Sequence, residues 1–151
     1  MSSMSPELLR EIESVCAIAI EEIVAARRPD DLVALRAALR EEADVPRSLR
    51  QNAIQILGRW GDTESAAAIR LLLPRFDERE RINAVDALGR MGGPDAEAAV
   101  LQTTEDESPD VRRFAAYALS NLGTEAARDR LRDMEETDPE DFVRAAAARS
   151  R

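Results

Sequence analysis

Ile56-Leu57-Gly58-Arg59-Trp60-Gly61 returns as Ala87-Leu88-Gly89-Arg90-Met91-Gly92, and again as Ala118-Leu119-Ser120-Asn121-Leu122-Gly123. The closing glycines Gly61, Gly92 and Gly123 stand 31 residues apart. The same step separates Arg50, Arg81 and Arg112, Ala53, Ala84 and Ala115, and Leu57, Leu88 and Leu119. Four columns held in phase over three units identify an internal repeat, and a period of this length implies stacked supersecondary units.

Each unit reads as two helices. The first begins near Arg47, Arg79 or Asp110 and carries small or apolar residues at helical spacing, as in Val111, Ala115, Ala118, Leu119 and Leu122. Glycine then stops it, since it takes the left-handed conformation of a helix C-terminus without steric penalty. Asp62, Pro94 and Thr124 mark the start of the second helix, whose buried stripes are Ser65-Ile69-Leu72, Ala96-Val100-Thr103 and Ala127-Leu131-Met134. Pro74, Pro109 and Pro139 punctuate the loops into the next unit. The regular units are 47–77, 78–108 and 109–138. Residues 5–46 read as a diverged opening unit, with a helix start at Ser5-Pro6-Glu7, an apolar face through Leu8, Ile12, Val15, Cys16, Ala19, Ile20 and Ile23, and a break at Arg28-Pro29-Asp30. A second helix over Leu32 to Leu39 follows, and residues 139–151 form an alanine-rich capping half unit in which Val143-Arg144 echoes Val111-Arg112 one residue out of phase.

The stretch Pro109-Asp110-Val111-Arg112-Arg113-Phe114-Ala115-Ala116-Tyr117-Ala118-Leu119, then Leu122-Gly123, resembles the HEAT-like repeats named after phycobilisome lyases. The resemblance covers about residues 47 to 145 well and 5 to 46 weakly. It implies an all-α fold, a right-handed α-α superhelix of about four helix pairs plus a C-terminal capping helix. For function it permits a scaffold, a chromophore-lyase-like or maturation factor, or a relative of helical-repeat DNA-repair proteins.

Composition narrows these classes. The chain has 151 residues and a net charge of −9, which opposes binding to nucleic acid or an anionic membrane. All 21 basic residues are arginine, so no lysine can form a Schiff base. Histidine is absent, which removes the usual general base and the commonest metal ligand. Cys16 has no second cysteine to pair with and is read as a small core residue. The apolar N-terminal stretch is broken by glutamates and reads neither as a signal peptide nor as a membrane span. The acidic run Glu105 to Asp110 lacks an EF-hand's spacing and its glycine. These observations lead to the expectation of a cytoplasmic, non-catalytic scaffold without cofactor or metal, holding another protein and open to self-association.

The second helices are expected to line the concave side, with a floor of Ala67, Leu71, Ala98, Gln102, Asp129 and Asp133 and a flank of Arg36, Arg70, Leu101 and Arg132. The arginine column allows two readings, a grip on an acidic segment of a partner or surface pairing with acids of the next unit. Arg50, Arg81 and Arg112 are expected to bridge to loop acids such as Asp77 and Asp110. Trp60 is assigned to the core. Phe114 and Tyr117 occupy columns that are polar in the other units (Asn52 and Asn83, Gln55 and Asp86), so they mark either a contact patch or packing against the capping helix.

Overall fold

The computed structural model describes residues 17–151, which contain nine helices and no strand. Helices α1 (Ala17–Ala26) and α2 (Pro29–Ala37) make the opening pair. Three regular pairs follow: α3 (Arg47–Trp60) with α4 (Ala66–Leu72), α5 (Glu78–Met91) with α6 (Pro94–Thr103), and α7 (Pro109–Leu122) with α8 (Glu125–Thr137). Helix α9 (Asp141–Ser150) closes the stack. Cys16 and the expected start at Ser5 lie outside the described residues. Short 3₁₀ turns, Thr63–Ser65 and Leu73–Arg75, bracket α4.

The helix ends follow from local chemistry. Gly61 and Gly123 close α3 and α7 with φ of 66° and 63°, where any side chain would be strained. Ser108 and Thr124 accept the backbone N–H of Val111 and Ala127, and Asp77 and Glu80 form a reciprocal capping box on α5. The capping helix starts two residues later than the proline suggested, because Asp138 Oδ1 accepts the N–H of Glu140 and turns the chain first. The predicted stripes form the core: Leu57, Leu88 and Leu119 are fully buried, as are Ala53, Ala84 and Ala115.

The two layers of the stack are not equally spaced. Gly58 lies on Ala87 and Gly89 on Ala118, so closely that a Cβ on either glycine would meet the alanine's Cα and Cβ at 2.7 Å and 2.8 Å. Helices α3, α5 and α7 therefore pack intimately, whereas α4, α6 and α8 touch more sparsely. The first helices thus form the tighter, inner layer of the stack and the second helices the looser, outer one, because the small residues stand on the first helices.

The arginine ladder is real but its partners differ from those expected. Arg81 pairs with Asp106 (2.8 Å) and donates to the Phe76 carbonyl (2.9 Å). Arg112 pairs with Asp138 (2.9 Å) and donates to the carbonyls of Asp106 and Glu107. Arg144 continues the series onto the Asp138 carbonyl. Arg81 and Arg112 thus each tie the loop before their unit to the loop that closes it. Arg50 has only the first half of this arrangement, donating to the carbonyls of Ala38, Arg40 and Ala43, because the loop beyond it offers buried Phe76 instead of an aspartate. That junction is closed by a bidentate pair from Arg47 to Glu80, with both contacts at 2.7 Å. Asp77 and Asp110 serve other arginines, Arg47 and Arg113.

The opening pair is fastened differently. Trp60 is buried and its Nε1 donates to the Val24 carbonyl (3.0 Å), while Arg27 donates to the Trp60 carbonyl (3.0 Å). Arg36 grips Asp62 through two nitrogens and also reaches Glu64 (2.9 Å). The Arg36 guanidinium holds the Asp62 carboxyl below the ordinary carboxylate range, with Ser65 adding a hydrogen bond in the same direction.

Three outcomes are expected in urea denaturation. Gly89→Ala should destabilise by about 1–3 kcal/mol, since the neighbouring backbone must move. Asp138→Ala should cost about 3–5 kcal/mol by leaving buried Arg112 without its carboxylate, whereas Arg90→Ala, which removes the exposed pair with Asp86, should cost under about 1 kcal/mol. The third outcome is a pH dependence. Asp62 has a lowered folded-state pKa, so the unfolded chain takes up its proton first, and the stabilisation present above the unfolded value near pH 4 is lost as pH falls through the folded value. Asp62→Asn should therefore flatten the loss of stability below about pH 4–5, and an unchanged slope would contradict this assignment.

Candidate functional site

The arginines expected to act together do not share one state. Arg36 is committed to Asp62 and Glu64, and Arg132 pairs with Asp129 one turn away on its own helix. Arg70 is exposed and has no partner among the described residues. Beside it Leu71 is 67% exposed, and Gln102 on α6 is exposed as well. All five belong to the second-helix layer. They place an apolar side chain and a free cation there.

Phe114 and Tyr117 belong to the inner layer and take both roles that the sequence left open. Phe114 is half-buried and packs on the core, while Tyr117 is exposed. Their rings meet edge to face at 5.8 Å between centroids. Arg113, fixed by Asp110 (2.9 Å), lies 5.4 Å from the Phe114 ring and 5.6 Å from the ring of Phe142 on α9. Phe142 is 41% exposed. The result is a cluster spanning the last two inner helices, with Phe114 and Phe142 against one guanidinium and Tyr117 against Phe114. Sequence reasoning passed over Phe142; the signal was available, since it stands two residues before Arg144 as Asp110 stands two before Arg112, another aromatic in a polar column.

Further along the same layer a groove of about 450 Å³ runs between α3 and α5. Ser48, Gln51, Gln55, Arg79 and Asn83 line it, and the Asn83 amide donates to Gln51 Oε1 (2.8 Å). Amides of this kind both donate and accept, and Arg79 has no partner among the described residues. A second pocket of about 340 Å³ sits at the opening end, between Arg27, Leu32, Trp60, Asp62 and Glu64. Its Arg27 holds a left-handed backbone (φ 45°) while bonding to the Trp60 carbonyl, so its polar groups already serve the fold. Among the described residues no group of three or more Cys, Asp or Glu side chains is arranged to hold a metal ion, and no helix is long and apolar enough to cross a membrane.

Comparison with known proteins bears on the architecture. No curated protein matches the chain in sequence. Several solved structures share its fold, among them a chain from the complex of CpcE and CpcF of phycocyanin lyase from Nostoc sp. PCC7120. That match has a TM-score of 0.73 and 22% identity, and covers 96% of this chain and 96% of that one, a likeness of fold along nearly the whole length of both. The sequence pattern of the HEAT repeats matches residues 68–150, more than half of the chain. With the paired helices, the 31-residue period and the Arg–Asp ladder already described, this makes the chain a member of the HEAT-repeat family.

Proposed function

We propose that this chain is a non-catalytic HEAT-repeat subunit that holds another protein on the inner face of its stack, as an assembly or maturation factor. The observation that carries this reading is the cluster of Phe114, Tyr117 and Phe142 beside Arg113, in which Tyr117 and Phe142 are exposed. Aromatic residues and arginine are the side chains enriched where protein interfaces concentrate their binding energy. Rings held in place by one another and by a fixed guanidinium lose little freedom when a partner covers them. The fold likeness to a protein found in a two-protein lyase complex supports the same role, since it extends over nearly the full length of both chains. A scaffold of general purpose needs only a surface; the assembly reading adds a specific partner, as CpcE and CpcF have in each other.

The partner is to be isolated from the source lysate, identified, and titrated against variants of the full chain. Tyr117→Ala with Phe142→Ala is expected to weaken binding by about ten-fold or more while the helical circular dichroism stays unchanged. Undiminished affinity in that variant would overturn the inner-face assignment. A loss confined to Arg70→Glu with Leu71→Ala would instead place the partner on the outer layer.

A further inference from the structure

We infer that helix α1 is a hinged strap, held to the end of the stack by polar ties, which swings off and uncovers Trp60 while the regular units stay folded. The seam it closes is built differently from those that follow. Ala87 and Ala118 each rest on the glycine of the helix before them, and by the repeat register Ile56 holds their place on α3. A bulky β-branched side chain there keeps α1 from the close approach that joins α3 to α5 and α5 to α7. Among the described residues, α1 accordingly touches α3 only sparsely and the other helices barely. The seam also contains a cavity of about 340 Å³, with Arg27 and Leu32 on one side and Trp60 and Asp62 on the other. Its lining lacks the packed partners that the later seams supply by backbone contact.

Polar groups make up the difference. Trp60 Nε1 donates to the Val24 carbonyl, Arg27 donates to the Trp60 carbonyl, and Arg59 grips both oxygens of Glu21. The last of these pairs is exposed, and such pairs contribute little. The hinge lies where α1 ends. Arg27 has a left-handed backbone (φ 45°) in the helix-ending position that Gly61 and Gly123 take elsewhere, and its amide donates to the Ile23 carbonyl. That conformation is strained for a side-chain-bearing residue. What offsets the strain is the guanidinium's bond to the Trp60 carbonyl, which exists only while α1 is seated. Release lets Arg27 return to ordinary backbone angles.

Helix α2 stays behind. Leu35 and Leu39 are buried, Arg36 grips Asp62, and Arg50 holds the carbonyls of Ala38, Arg40 and Ala43 in the loop that follows. Elements with few apolar contacts open locally at a lower free energy than the whole fold requires. The open state therefore differs from the closed one by Ile56 and Trp60 laid bare on α3, at the end of the stack opposite Phe142.

Trp60 is the only tryptophan of the chain and so reports the strap by itself. The full chain is to be unfolded in urea and followed by Trp60 emission, by acrylamide quenching and by far-UV circular dichroism, with hydrogen exchange of the Trp60 indole N–H measured without urea. Trp60 is expected to shift to the red and become quenchable at a lower urea concentration than the main loss of helix. Its indole should exchange faster than the core amides of α5 and α7. Glu21→Gln with Arg27→Gln, which removes two ties, should speed indole exchange by about three-fold or more and leave those core amides unchanged. Loss of Trp60 signal and helix in one coincident transition would overturn the strap, as would indole exchange no faster than that of the core amides. It also falls if the double variant speeds the core amides equally, since the ties would then serve the whole stack. Arg90→Gln, which removes an exposed pair on α5, should leave indole exchange as it was; an equal effect there would reduce the result to surface charge.

Discussion

The close approach of the inner helices sets the terms for everything else in this stack. A hydrogen where a side chain would be, at Gly58 and Gly89, lets each helix rest on the alanine of the next, Ala87 and Ala118. That contact fixes the layer spacing on one side only, because α4, α6 and α8 carry no matching glycines and pack more loosely. Unequal spacing sets the two layers apart, one tight and one loose. It also brings each loop within reach of the arginine one unit before it. Helix packing that depends on a missing methyl group cannot drift gradually, since close-packed interiors respond to even one extra carbon.

Arginine performs the second task, and the absence of lysine becomes intelligible in that light. Arg112 meets a carboxylate in the loop ahead and two carbonyls in the loop behind with one planar group. A lysine ammonium is a point charge without the fork that this bridging needs. Buried between loops, the pair with Asp138 is costly to desolvate and costly to break, which favours one stacking geometry over near alternatives. Where the aspartate is replaced by Phe76, a different pair, Arg47 and Glu80, spans the junction, so the requirement is for a tie at each step and not for one particular residue.

Periodicity made the architecture legible, because columns repeated every 31 residues report what each unit must bury. The buried stripes, the glycine stops and the capped starts followed from that pattern alone. The ladder's columns were visible, yet its partners were not: Asp106 and Asp138 sit 25 and 26 residues beyond their arginines, off the repeat period, and a loop reaching back across a layer leaves no mark at a fixed spacing. Which layer packs more tightly depends on backbone spacing, and the cue was the glycine inside Leu57-Gly58 and Leu88-Gly89, three residues before the one that ends each helix. Of the candidate contact residues, Phe114 and Tyr117 stood out as breaks in polar columns, whereas Phe142 was hidden by the one-residue phase slip before the capping helix.

The distribution of the five aromatic residues separates what the stack needs from what it offers. Trp60 and Phe76 are both buried, and both mend an irregularity: one fastens the diverged opening pair through Val24, the other fills the place of a missing ladder aspartate. Phe114, Tyr117 and Phe142 mend nothing of that kind. The units that precede them fold with Asn52, Gln55, Asn83 and Asp86 in the same columns, and the closing junction is already held by Arg112 and Asp138. Exposed rings that the packing does not require, steadied by a neighbouring guanidinium, are a surface made ready for contact.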